Sequence, residues 1–243
     1  MAGEGFDPAR PLAEEPNNAL LEPDPASEVR DLDYEAVELL NGPSMDRYRL
    51  TRADWFSLLR QGVVHTATAN SDSHRAGEIV ALPRTYVALT PDRVDAFDPA
   101  GFVAALRAGH AFGTSGPILQ VALESVGPGD RFTGKEGRLH VRVEAAPWVP
   151  VSQLRVLLNG AVLERRPIQA STQVSLPLRF EADAFLTVEV EGPVSDTYAA
   201  VAPGFVPFAF TNPIFVDADA DGAWTPPGLE GPLPSSITDP LLP

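Results

Sequence analysis

Leu154-Arg155-Val156-Leu157-Leu158-Asn159-Gly160 decides how the second half of this sequence folds. Its apolar residues begin in the period-two pattern of a strand with one face in a core. Asn159-Gly160 then supplies the two residues that a tight β-hairpin turn prefers. The same alternation recurs at Leu119-Gln120-Val121-Ala122-Leu123 and at Leu139-His140-Val141-Arg142-Val143. It continues through residues 173–180, 185–190 and 208–216. The pieces between are turn formers, such as Gly127-Pro128-Gly129-Asp130 and Glu191-Gly192-Pro193, without a helical pattern. Short strands so spaced predict an antiparallel β-sandwich over residues 118–224.

Working outward, residues 31–117 read as α/β. Ala36-Val37-Glu38-Leu39-Leu40 is a short apolar run closed by the turn Asn41-Gly42-Pro43. Thr51 is placed to cap a helix carrying Trp55, Phe56, Leu58 and Leu59, which Gly62 ends. Val63 to Ala69 reads as the next strand, and Thr85 to Leu89 as a short extended piece. A second helix has Asp98 at its cap, Pro99 in its first turn and Gly109 beyond its end, with Phe102, Val103 and Leu106 on one face. Strand, helix, strand, helix predicts a parallel layer, with too few units for a closed barrel. Residues 1–30 read as an extended or disordered lead-in and residues 225–243 as a Pro-rich tail. The expected fold is therefore multidomain, α/β followed by all-β.

Composition narrows the function classes. Of 243 residues, 33 are acidic and 18 basic, a formal charge of −15, which argues against a nucleic-acid partner. No apolar run approaches a membrane span, and no basic start followed by an apolar stretch marks a secretory signal. With 44% hydrophobic residues the chain can build a core, while 25 Pro and 19 Gly imply many loops. The absence of Cys removes disulfides, thiolate metal sites and Cys nucleophiles, so any metal must be held by carboxylates and the four His.

Asn70-Ser71-Asp72-Ser73-His74 follows a predicted parallel strand, at the end where α/β folds gather ligands. On an extended segment Asp72 and His74 project to one side and could share a divalent ion such as Zn, Mn or Fe, whereas His65 points to the other face. The plainer reading makes Asp72 a turn cap and His74 a loop residue. Arg84 could reach a substrate oxyanion or pair with a surface acid. His110 and Ser115 read as packing and turn residues, and His140 as a strand side chain. Asp217-Ala218-Asp219-Ala220-Asp221-Gly222 has the opening of a calcium loop, with Gly228 where a bidentate Glu is expected; the alternative is an acidic turn.

The string Thr66-Ala67-Thr68-Ala69-Asn70-Ser71-Asp72-Ser73-His74 resembles the last metal motif of PHP-domain metallohydrolases, closest to the CehA/McbA branch. Tyr34 to Gly42, Asp54-Trp55, Pro83 to Val87, Ala104 to Gly109, Thr114 to Pro117, Ala146-Pro147-Trp148, Asn159-Gly160 and Phe210 to Asp217 extend that resemblance across about residues 31–228. It implies a partial, distorted β/α barrel layer followed by a β-sandwich, with ester or phosphoester hydrolysis by metal-activated water. Asp72 and His74 are the ligands it carries over; Glu38 is not assigned. The family's early His-x-His pair is absent here, so the resemblance implies a C-terminal part, catalytically incomplete alone. An N-terminal half on another chain, or a homo-oligomer, would then cover exposed strand edges. The other reading is a non-catalytic β-sandwich interaction module that binds a partner or polysaccharide.

Overall fold

Ala184-Phe185-Leu186-Thr187-Val188-Glu189-Val190-Glu191 is buried at every position, so this strand has a covered layer on both of its faces. A computed structural model describes residues 5–169 and 171–230. In chain order the elements begin with β1 (Ala36–Asn41), α1 (Met45–Arg60), β2 (Thr66–Asn70), β3 (Arg84–Val87), α2 (Pro99–Arg107) and β4 (Ala111–Thr114). They continue with β5 (Ile118–Leu123), β6 (Arg131–Thr133), β7 (Glu136–Glu144), β8 (Gln153–Leu158), β9 (Ala161–Pro167) and β10 (Thr172–Arg179). Last come β11 (Ala184–Glu191), α3 (Asp196–Val201), β12 (Phe208–Thr211) and β13 (Ile214–Asp217).

The β-sandwich is present. A three-stranded sheet, β10-β7-β5, faces a larger sheet that runs β3-β4-β12-β11-β13-β6, with β8 and β9 joined along the other edge of β11. Leu139, Val141 and Val143 on β7 meet Leu186, Val188 and Val190 on β11 in one core. Alternation explains this face: residues of β7 between them, such as His140 and Arg142, are exposed. Asn159 and Gly160 both take positive φ, 53° and 82°, and turn β8 back into β9 as the Asn-Gly signal requires.

The opposite face of β11 is covered by α1 and by the two-stranded parallel sheet β1-β2. Phe185, Phe208 and Phe210 of the large sheet pack there with Tyr48, Trp55, Phe56 and Leu59 of α1. The helix begins at Met45, earlier than the expected cap at Thr51, because the Ser44 side chain accepts from the Arg47 amide. Starting there adds Tyr48 to the apolar stripe and places Arg52 beside Glu189. Tyr48, Arg52 and Arg155 all reach the buried Glu189 carboxylate. Burial alone would raise that carboxyl, but the two guanidiniums override it and hold it below its ordinary value.

The structure corrects the expectation of a PHP-like barrel layer. It is mostly β-sheet with three α-helices, and no barrel closes among the described residues. The physical reason lies at the free edge of β2. A barrel would extend that edge with another strand. Here side chains close it: Thr85 bonds to both the amide and the carbonyl of Ala69, and Asn212 does the same to Ala67. Once those backbone groups are satisfied, no strand can pair there. The following strands β3 and β4 instead join the large sheet through β12. The predicted strand over 208–216 is broken into β12 and β13 at Asn212-Pro213, where the Asn212 side chain turns to this task and Pro213 lacks an amide hydrogen.

Residues 5–30 form an irregular strap over the far end of α1, with a short 3-10 turn at Asn17–Leu21. Its centre is Asn17, fully buried, which bonds to the backbone of Asp7 and Arg10. Leu12 and Leu32 pack against Leu58. At the other end of the chain, Arg60 bonds to the carbonyls of Gly228 and Glu230. Residues 231–243 of the expected tail lie outside the described residues. No helix among the described residues is long and apolar enough to cross a membrane.

Candidate functional site

Among the described residues, three chain segments carry the side chains that could do chemistry. The first is the loop after β2. Asp72 has a positive φ of 49°, so the chain leaves the extended path on which its parity with His74 was argued. The two side chains still meet, but they meet each other: His74 Nε2 lies 2.6 Å from Asp72 Oδ1, and both are exposed. Glu78 ties the loop by accepting from the His74 and Arg75 amides. Among the described residues no third carboxylate or imidazole completes a metal-ligand group there. Glu38 is spent between Asn41 and Asn70, at the ends of β1 and β2. His65 is buried, stacked on Tyr34 with ring centroids 3.9 Å apart, and its Nε2 lies 3.1 Å from the Leu32 carbonyl.

The second segment surrounds a hollow of about 400 Å³ between the loop before β3 and the connection from β7 to β8. Arg84 lies here, donating to the Tyr86 hydroxyl and the Ala81 carbonyl, with its guanidinium 5.4 Å from the Tyr86 ring centroid. Tyr86 stacks on Phe112, and Trp148 stacks on the buried Tyr198. Val80, Tyr86, Trp148 and Val201 are large apolar side chains exposed around this hollow. The Ser115 hydroxyl is not free for nucleophilic work. It donates to the backbone at Val206 and accepts from the Phe208 amide, which docks β12 beside β4. His110 stands apart, with its Nε2 3.0 Å from Asp130 Oδ1.

The third segment follows β13, and here a group of three carboxylates able to hold a metal ion is present. One oxygen from each of Asp183, Asp217 and Asp219 lies within 4.8 Å of the others. Of the sequence's candidates, Asp217 and Asp219 belong to the group and Asp221 does not. Asp221 accepts from the Ala223 amide instead. Asp183 was not visible from the sequence. It sits in the turn between β10 and β11, far from Asp217 in the chain, and no local spacing links them. Its two oxygens accept from the amides of Ala218 and Thr225, 2.8 and 2.7 Å away, which fixes the carboxylate against the acidic turn. Asp217 is fully buried. Its Oδ2 takes bonds from the Gly222 amide and the Thr133 hydroxyl, while Oδ1 has no hydrogen-bond partner among the described residues.

No family model and no curated protein matches this chain. Among solved structures it is similar to the CARDB domain of a Pyrococcus furiosus protein, a structure described as in complex with di-metal ions. The identity is 16%, over 42% of this chain and 94% of that one, and the TM-score is 0.24. A likeness at that score decides neither fold nor ligand. With no family model behind it and with the edge of β2 closed by side chains, the resemblance to PHP-domain metallohydrolases of the CehA/McbA type does not stand.

Proposed function

We propose that this chain is a non-catalytic β-sandwich interaction module whose docking face is the hollow beneath Trp148 and Tyr86. The observation that carries the reading is the concentration of exposed Val80, Tyr86, Trp148 and Val201 around one concavity that also holds Arg84. Clustered exposed apolar side chains mark interaction surfaces, and Trp, Tyr and Arg are the residue types that dominate binding energy at protein interfaces. The partner that fits is a protein with an apolar centre and a basic rim, since the chain's charge of −15 favours a positive surface and repels polyanions. The polar groups that catalysis would need support the same reading, because Ser115, Arg84 and the Asp72–His74 pair are engaged with their own surroundings. The cation proposed for the module is calcium, at the carboxylates gathered at the end of β13, which offer oxygen donors with no imidazole or thiolate among them.

A photo-crosslinking residue placed at position 148, with a second at the exposed His140 as control, tests the docking face. The expected result is one partner captured from position 148 alone. With that partner purified, Trp148→Ala weakens binding about 30-fold or more, as loss of a central aromatic anchor does. Capture that is equal from both positions, or metal-dependent hydrolysis of aryl phosphates or esters by the chain with added Zn or Mn, would overturn the reading.

A further inference from the structure

We infer that the calcium ligands are Asp183, Asp217 and Asp219, so that the ion joins the β10–β11 turn to the end of β13 in a site no contiguous loop could form. This rests on the calcium reading above and adds to it the ligand set. The argument starts from Asp217. A carboxylate with no exposure normally has both oxygens satisfied, because an unpaired buried acceptor keeps the full cost of its lost hydration. Asp217 Oδ1 has no such partner among the described residues, and it belongs to a carboxylate flanked by two others. Three negative charges so close repel one another unless a cation stands between them.

The donor chemistry then favours calcium. Oxygens around calcium stand at about 2.4 Å from it, so two ligands on opposite sides are about 4.8 Å apart. The three aspartate oxygens, within 4.8 Å of one another, are close enough for one such ion to touch all three. Zinc would draw on imidazole or thiolate, which the group lacks. The amides of Ala218 and Thr225 each use one lone pair of Asp183 and hold it in orientation, leaving a second lone pair on each oxygen. Asp219 is likewise held by the Asp221 amide. In a contiguous calcium loop the fifth position would ligate, but Asp221 is turned to Ala223, and Asp183 takes its place.

The experiment is calorimetric titration of the chelator-treated full chain with calcium, repeated on Asp219→Asn, Asp183→Asn and Asp221→Asn. The expected Kd lies between about 10⁻⁵ and 10⁻³ M, with the melting temperature rising in about 5 mM calcium because only the folded chain holds the three groups together. Asp219→Asn and Asp183→Asn should weaken binding roughly 10- to 100-fold, and Asp221→Asn by less than about threefold. Asp219 is exposed, so its variant keeps the test open even where Asp183→Asn fails to fold. No saturable binding by the unmodified chain overturns the calcium reading itself. Binding that survives Asp183→Asn and is lost in Asp221→Asn leaves that reading standing and overturns the ligand set.

Discussion

Asp54 is the side chain whose charge works against the fold. It lies on α1, 5% exposed, and its Oδ2 has no hydrogen-bond partner among the described residues. Burial pushes its carboxyl from an ordinary 3.8 up to about 6. A raised carboxyl costs the folded state nothing while it is protonated in both states, so its penalty is absent below about pH 4, grows through the window from about 4 to 6, and is complete above it. A rise from 3.8 to about 6 corresponds to about 3 kcal/mol. Asp54→Asn should therefore be more stable than the parent by about 1–3 kcal/mol at pH 7 and nearly equal to it near pH 3.5. Urea denaturation at the two pH values checks this, and a variant that is less stable at pH 7 contradicts it. The tie between Asp72 and His74 shows what spacing can carry at this scale. Two positions apart was legible; the left-handed turn at Asp72, which aims the pair at each other, was not.

At the scale of elements, capping and turn chemistry were legible because they are local. Asp98 accepts from the Ala100 and Gly101 amides and starts α2 where the sequence places it, with Pro99 in the first turn. The packing of that helix was not legible, for none of its residues is buried although Phe102, Val103 and Leu106 share its apolar face. Close approach between strands was hidden as well. Gly113 on β4 lies so near its neighbours that a Cβ would stand 2.4 Å from the Phe210 ring and 2.8 Å from the Ala69 Cβ. Those contacts hold β4 against both β12 and β2, so a methyl group there must move an aromatic ring or a strand. Gly113→Ala should cost about 1–3 kcal/mol, the range for overpacking a core. Thermal and urea denaturation of the purified variant measure it, and an unchanged midpoint would mean the ring yields freely.

Across the whole molecule, β11 ties the two cores into one. Ala184, Leu186, Val188 and Val190 belong to the sandwich core, whereas Phe185 belongs to the core under α1. Neither core can be lost without exposing a face of the same strand. Unfolding should therefore be a single transition, with far-UV circular dichroism and the fluorescence of Trp55, isolated by Trp148→Phe and Trp224→Phe, giving coincident midpoints. A separation of more than about 0.5 M urea between the two probes would show that the layers melt independently. The sequence by itself determined the sandwich strands, the Asn159-Gly160 turn, the α2 cap and the exclusion of thiolate chemistry. Each follows from a pattern within a few residues or from composition. Only the tertiary structure decided that Thr85 and Asn212 seal the edge of β2, that β3 and β4 join the large sheet, and that Asp183 meets Asp217. Those outcomes depend on which satisfied backbone groups and which apolar faces remain for distant segments to use, and no local period encodes that.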